Sequence, residues 1–167
     1  MKSVQLILLL ILGLVGCAAE REFRAGDVVV EAPWARASAG RTATGVVYAG
    51  LSNHGAEPEQ LISLSTPVAD GATVHETIRE GGMVSMRAVG SLELLPEKNT
   101  ALEPGGLHIM LTHLSSPLVE GETFPMTLTF RRVGTVEIQV SVRGVGAMGT
   151  SGVSGASGTG DHPHGHE

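Results

Sequence analysis

Apolar and polar positions alternate with a period of two through most of the chain between Val28 and Val142. The clearest cases are Met126-Thr127-Leu128-Thr129-Phe130 and Val136-Glu137-Ile138-Gln139-Val140. That period sends successive side chains to opposite faces and belongs to strands. Gly, Pro, Asn and Ser interrupt it at short intervals, which predicts strands over Val28–Ala32, Thr44–Ser52, Gln60–Ser65, Thr73–Ile78, Val84–Val89, Leu92–Leu94, Leu107–Leu114, Phe124–Arg131 and Thr135–Val142. No stretch among them carries a convincing helical period. Many short strands at regular spacing describe an all-β sandwich or barrel, and about 115 residues are enough for one domain with one core. Only three Phe, one Trp and one Tyr are present, so Val, Leu and Ile must fill that core.

Both ends depart from the β pattern. Residues 1–16, MKSVQLILLLILGLVG, place one Lys before an apolar run, which is the form of a secretory signal and too short to span a bilayer. The run ends in Leu14-Val15-Gly16-Cys17, similar to the bacterial lipoprotein box, in which the cysteine is lipidated and becomes the new N-terminus. This accounts for the single, otherwise odd cysteine. Several acyl chains on Cys17 would anchor the protein stably, where one holds only marginally. Residues 17–26 then form the lipidated terminus and a polar spacer, and residues 27–143 the β domain. The protein is expected outside the cytoplasm, tethered to a bacterial membrane and facing the periplasm or the cell exterior. Ala18 in place of an aspartate leaves an outer-membrane position open.

The other end, residues 144–167, changes composition. Gly144 to Gly160 is almost entirely Gly, Ser, Ala, Thr and Val with one Met148, and Asp161-His162-Pro163-His164-Gly165-His166-Glu167 follows. The first part has the composition of a flexible linker with a reach of roughly 20–25 Å. His162, His164 and His166 beside two carboxylates form a chelating tract better suited to Cu(II), Ni(II) or Zn(II) than to Cu(I).

Charge narrows the partners. Eleven basic against 17 acidic side chains give a formal charge of −6, and loss of Lys2 with the leader would take it to −7. An acidic chain is a poor ligand for nucleic acid or a polybasic-dependent membrane surface. The sequence carries no nucleophile elbow and no glycine-rich stretch leading into a helical period, so no phosphate-cradling loop of the Walker or dinucleotide kind is expected.

The chemistry concentrates between Ala72 and Leu111. Two Val/Ile/Thr/Met-rich segments flank Arg79-Glu80-Gly81-Gly82, a hairpin signal. A turn centred between Glu80 and Gly81 would set Arg79 against Gly82, Ile78 against Met83 and His75 against Met86. Directly opposed side chains on one face have Cβ atoms about 4.5–5.5 Å apart, close enough to share an ion. His108 and Met110 are two apart on a strand and point to one face, with Leu107, Ile109 and Leu111 on the other. Two imidazoles and two uncharged thioethers suit Cu(I) and are poor ligands for Mg, Ca or Mn. Zinc would recruit Cys or carboxylate, and a blue-copper centre needs a thiolate. His54 falls in a turn and is expected in solvent; His113 falls on the opposite strand face.

The spacing of His75, ten residues, Met86, twenty-one residues, then His108-Ile109-Met110 resembles the motif of the periplasmic PCu(A)C copper chaperone family. The resemblance extends to Pro33-Trp34-Ala35-Arg36, Thr44-Gly45-Val46-Val47-Tyr48, Pro104-Gly105-Gly106, Pro117-Leu118 and Gly121-Glu122, and so spans about residues 27–142. It departs at Glu76, where many members have Met. The resemblance implies a cupredoxin-like β fold and exposed Cu(I) coordination by His75, Met86, His108 and Met110. It also implies delivery to the copper domain of cytochrome oxidase alongside a Sco-type protein. A second copper, at a tail bearing Met148, His162, His164 and His166, is implied in some members. A copper buffer or resistance lipoprotein without a delivery partner, and a structural β-sandwich lipoprotein, are the alternatives.

Overall fold

The computed structural model describes residues 21–38, 40 and 43–149. Eleven strands are present among them and no helix: β1 (Glu22–Ala25), β2 (Val28–Arg36), β3 (Thr44–Asn53), β4 (Glu59–Ser65), β5 (Ala69–Glu80), β6 (Met83–Val89), β7 (Leu92–Leu94), β8 (Lys98–Leu102), β9 (Leu107–Leu114), β10 (Thr123–Phe130) and β11 (Gly134–Arg143). The nine expected strands all form. Two were not foreseen. β1 lies in the segment read as spacer and pairs with β2 from Glu22–Glu31 to Ala25–Val28. β8, Lys98–Leu102, pairs with β3, although its sequence KNTAL carries almost no β-branched or aromatic residue.

The strands run β6-β5-β9-β8-β3-β2-β11-β10-β4-β7 across one mixed sheet, with an additional β9–β3 pairing. Pairing is antiparallel except for β11 with β2 and β8 with β9. The sheet rolls around a single core but stays open, with β6 and β7 at its two edges. A slot of about 180 Å3 between β4 (Leu61, Ile62, Ser63, Leu64) and β5 (Ala72, Thr73, Val74) marks the gap. The fold is therefore an open, cupredoxin-like β barrel.

Alternation places the core where the sequence indicated. Met126, Leu128 and Phe130 of β10 and Val136, Ile138 and Val140 of β11 are buried, joined by Val47, Leu51, Leu94, Ile109 and Leu111. Each such side chain contributes on the order of 1.5–3 kcal/mol when withdrawn from water. One interruption matters for the outer face. Between Glu31–Gly50 and Trp34–Tyr48 the β2–β3 register slips by one residue, and Ala32 takes a positive φ of 44°. This bulge reverses the strand's facing. Val28 and Val30 point into the core before it and Ala35 after it, so Trp34 turns outward. There it meets Tyr48 with ring centroids 4.6 Å apart. Arg36 lies over the Tyr48 ring and Arg143 over the Trp34 ring. Burial raises the Tyr48 phenol above its ordinary range, and the Arg36 charge offsets part of that.

The start of the linker-like segment is also held. Arg36 Nη2 donates to the carbonyl oxygen of Ala147 at 2.9 Å, and Met148 and Gly149 line a groove of about 410 Å3 with Glu31, Trp34, Asn99 and Glu103. The residues before position 150 are thus a bound extension of the domain rather than free linker. Cys17, residues 1–16, His162, His164 and His166 lie outside the described residues.

A buried carboxylate holds the β10–β11 turn. The Glu59 side chain accepts hydrogen bonds from the backbone N–H of Gln60 (2.7 Å), Arg132 (3.1 Å) and Val133 (3.0 Å), pinning the β10–β11 turn to β4. Burial pushes its carboxyl up, but those three N–H groups and the charge of Arg132 outweigh burial and hold it below the usual range. The unfolded chain therefore takes up the proton at higher pH than the folded one. The stabilisation is fully present above the ordinary glutamate range and is lost as pH falls through the depressed value. Glu59→Gln is expected to cost about 1–3 kcal/mol at pH 7, with the difference from the parent narrowing in acid; denaturant titrations at pH 7 and at pH 3 check both parts.

The β5–β6 turn differs from the sequence expectation. Glu80 pairs with Met83, so the loop is the two residues Gly81 and Gly82, both at positive φ (56° and 80°). This is a type I′ turn, whose twist matches that of the strands it joins. A Cβ at either glycine would meet nothing within 4 Å, so the requirement is conformational rather than steric. Valine at both positions is expected to cost about 1–2 kcal/mol per residue. Amide exchange should accelerate across β5–β6 and stay unchanged across β10–β11.

Candidate metal site

Three adjacent strands build the site. β5 lies in the middle, with β6 on one side and β9 on the other. Against β9, His75 sits directly opposite His108 and Thr73 opposite Met110. Against β6, the turn moves the expected register by two residues: Met86 faces Thr77, and His75 faces Ala88. The expected His75–Met86 opposition is therefore corrected to a diagonal one. The shift is even, so the facing of every residue survives it. His75, His108, Met86 and Met110 all project from one side of the sheet. The thioethers occupy the two diagonals around the histidine pair, at separations of roughly 7–8 Å.

The imidazoles form the organised half. Their ring centroids are 6.1 Å apart and the planes are within 21° of parallel. His75 Nδ1 is 3.2 Å from the Thr73 carbonyl oxygen, and His108 Nδ1 is 3.1 Å from that of Gly106. A carbonyl oxygen only accepts, so each Nδ1 carries the proton and each Nε2 keeps a free lone pair. This is the outer-shell arrangement that fixes ring orientation and tautomer in ligating histidines. The two carbonyls stand two residues before their histidines. They were not singled out in the sequence because backbone acceptors leave no side-chain signal.

Burial separates the four residues. His108 is only 4% exposed, whereas Met86 on the edge strand is 60% exposed; His75 and Met110 are intermediate. Methionine has three rotatable bonds and a polarisable sulfur, so Met86 can swing over the histidine pair. Ala88, small and directly across from His75, leaves room for it. Among the described residues no three of His, Cys, Asp and Glu gather where an ion could be held. The donor set is nitrogen plus thioether, which fits a soft monovalent ion.

Other candidates separate from this cluster. Glu76 points to the opposite face from its neighbour His75, and its carboxylate meets Arg87 Nη2 at 2.7 Å directly across the hairpin. A methionine at this position would have pointed away from the four donors, so the departure at residue 76 removes nothing from them. His54 is exposed in its turn, with its N–H donating to the Asp27 carbonyl oxygen. His113 is exposed with a φ of 53°. Met148 is exposed at the groove beside Trp34 and belongs to a different part of the surface from β5 and β6. Tyr48 and His108 stand one step beyond Val47–Ile109, the last β3–β9 pair, so the aromatic pair borders the site.

Residues 28–142 match the family described as "Putative lipoprotein LpqE-like". A relative in Leifsonia xyli subsp. xyli, "Putative lipoprotein Lxx21020", is 30% identical over 143 residues, covering 80% of this chain and 84% of that protein. Among solved structures, the apo PCuAC domain of PmoF2 is 26% identical with a TM-score of 0.65, over 77% of this chain and 98% of that one. The solution structure of Cu(I)-bound DR1885 from Deinococcus radiodurans is 29% identical with a TM-score of 0.53, over 66% of this chain and 74% of that one. The chain belongs to the LpqE-like lipoprotein family, and its β domain is a PCuAC domain.

Proposed function

We propose that the protein is an extracytoplasmic copper carrier that binds Cu(I) through His75, His108, Met86 and Met110 and gives it up by ligand exchange. The observation that carries this is the facing pair His75–His108, with both Nδ1 protons engaged by carbonyls and both Nε2 lone pairs free on the side where the thioethers project. The PmoF2 and DR1885 likenesses support copper as the cargo, since one related domain is described with copper and the other with Cu(I).

A carrier must hold its ion firmly and still release it. The histidine pair is oriented before metal arrives, which lowers the ordering cost of binding. Met86 is neutral, flexible and open to solvent, so an incoming thiolate or imidazole displaces it first. The ion then passes through a complex in which donor and acceptor share it, and no covalent bond of the protein is made or broken. The acceptor we propose is the copper domain of cytochrome oxidase, with a Sco-type partner, and the protein works from a bacterial membrane through a lipid on Cys17. Transfer of Cu(I) to an isolated apo-oxidase copper domain separates this from simple copper buffering, in which no transfer to it occurs. We further propose that the tail, with Met148, His162, His164 and His166, collects Cu(II) ahead of reduction.

Titration of Cu(I) against a chromophoric chelator tests the ligand set. His75→Ala is expected to weaken Cu(I) binding by at least about 100-fold, the upper end of what loss of an outer-shell partner costs. Met86→Ala should weaken it less while leaving thermal stability unchanged, because Met86 is exposed. Unaltered affinity in both variants, or in a His108→Ala, Met110→Ala double variant shown to be folded, would eliminate the site and leave a structural lipoprotein. Removal of residues 150–167, which spares the Arg36–Ala147 bond, should lower Cu(II) stoichiometry and leave Cu(I) stoichiometry intact; an unchanged Cu(II) count removes the tail from the scheme.

A further inference from the structure

Among the described residues the ten-strand path of the sheet ends at β6 and β7, and these two ends are treated differently. β7 is three residues long and is followed closely by Pro96. Short strands and prolines are common ways of keeping an edge from pairing with another chain. β6 has neither. It runs seven residues, MVSMRAV, without proline or a bulge against β5, and six of the seven residues are exposed. Met83, Val84 and Met86 are among the large apolar side chains most open to solvent.

The backbone groups on that edge can be assigned. In a two-residue I′ hairpin the residues flanking the loop exchange hydrogen bonds. Glu80–Met83, Ile78–Ser85 and Glu76–Arg87 are therefore the bonded pairs, and Arg79–Val84, Thr77–Met86 and His75–Ala88 are not. The Thr77 N–H agrees, since it turns the other way and donates to the Gly106 carbonyl oxygen at 3.2 Å. Val84, Met86 and Ala88 consequently aim their N–H and C=O groups outward, where no described residue meets them.

We propose that β6 is an interface for a second copy of this chain, paired antiparallel about a two-fold axis at Met86. In that register Val84 faces Ala88 of the copy, Met86 faces Met86, and Ala88 faces Val84. Those are the three residues whose hydrogen-bonding groups point outward, so all three pairs can bond. Ser85 faces Arg87 of the copy. No like charges are opposed, and Arg87 is already neutralised by Glu76 in its own chain. The paired stretch from Val74 to Val89 carries Glu76, Arg79, Glu80 and Arg87, two of each sign, in a chain of net charge −6. This locally balanced ribbon lets two acidic molecules approach without repulsion. A pair of single ribbons buries less than the ~1,200 Å2 of a standard stable interface, so the dimer is weak and exchanges rapidly. It makes one continuous sheet in which the two His75 residues are three strand spacings apart across the sheet and four residues apart along it, roughly 20 Å in all. The pairing does not depend on the copper assignment, because Met86, the one proposed donor it includes, contributes backbone groups to it and not its thioether.

Sedimentation of residues 17–167 with Cys17→Ser, so that no acyl chain drives association, without copper and across a wide concentration range, measures it. The parent should show a concentration-dependent dimer. Val84→Pro removes one outward N–H without touching the β5 ladder and should leave a monomer. Ser85→Glu places an opposite charge before Arg87 of the copy and should lower the dissociation constant, whereas Ser85→Lys should raise it, each by about two- to thirty-fold over the two symmetric pairs. Circular dichroism confirms that each variant is folded. A parent that stays monomeric throughout, as it would if the edge serves a different protein, overturns the proposal, as does a dimer indifferent to all three substitutions.

Discussion

His75 faces His108 because β5 and β9 pair in one register, and that register is held from several sides. Val74 and Ile109 are opposed within the same ladder and both are buried in the core. Slipping β5 by a single residue would expose Val74 and drive His75 inward, since strand facing has a period of two. The hydrophobic core therefore specifies the spacing of two polar rings on the outside of the barrel. The cost of moving the rings apart is the cost of repacking Val74 and Ile109.

The same period explains how much of the site was legible in the sequence. The facing of His75, Met86, His108 and Met110 follows from parity alone, and parity survived the one error in the hairpin. That error came from centring the turn one residue too early. Gly81-Gly82 is the pair able to adopt positive φ twice in succession, and giving both glycines to the loop moves Met86 from opposite His75 to opposite Thr77. The scaffold strands with clean alternation, β10 and β11, were readable to within a residue. β1 and β8 were not, because their sequences EFRA and KNTAL are short and largely polar and are ordered by pairing with β2 and β3 rather than by propensity. The tautomer-fixing carbonyls of Thr73 and Gly106 were invisible for a different reason: they are backbone atoms whose direction depends on the fold.

The molecule divides its rigidity unequally. The β10–β11 turn is held by the buried Glu59 carboxylate above the alternating core of β10 and β11. The β5–β6 hairpin, by contrast, is an exposed two-stranded ribbon whose only cross-strand ion pair, among the described residues, is Glu76–Arg87 at the surface. Exposed pairs of that kind contribute about 0–1 kcal/mol, so the ribbon is the softer part of the fold. A fixed histidine pair beside a yielding thioether arm is the division of labour that capture and release require.

The bulge at Ala32 has a spectroscopic consequence. One additional residue in β2 brings the only tryptophan of the chain to the outer face, against Tyr48 and on the border of the histidine pair. Its indole emission originates from a single, defined position, packed at a tilt against Tyr48 and overlain by Arg143. The protein thereby carries an intrinsic optical label close to where cargo would arrive, and loading can be followed in the ultraviolet without attaching a dye.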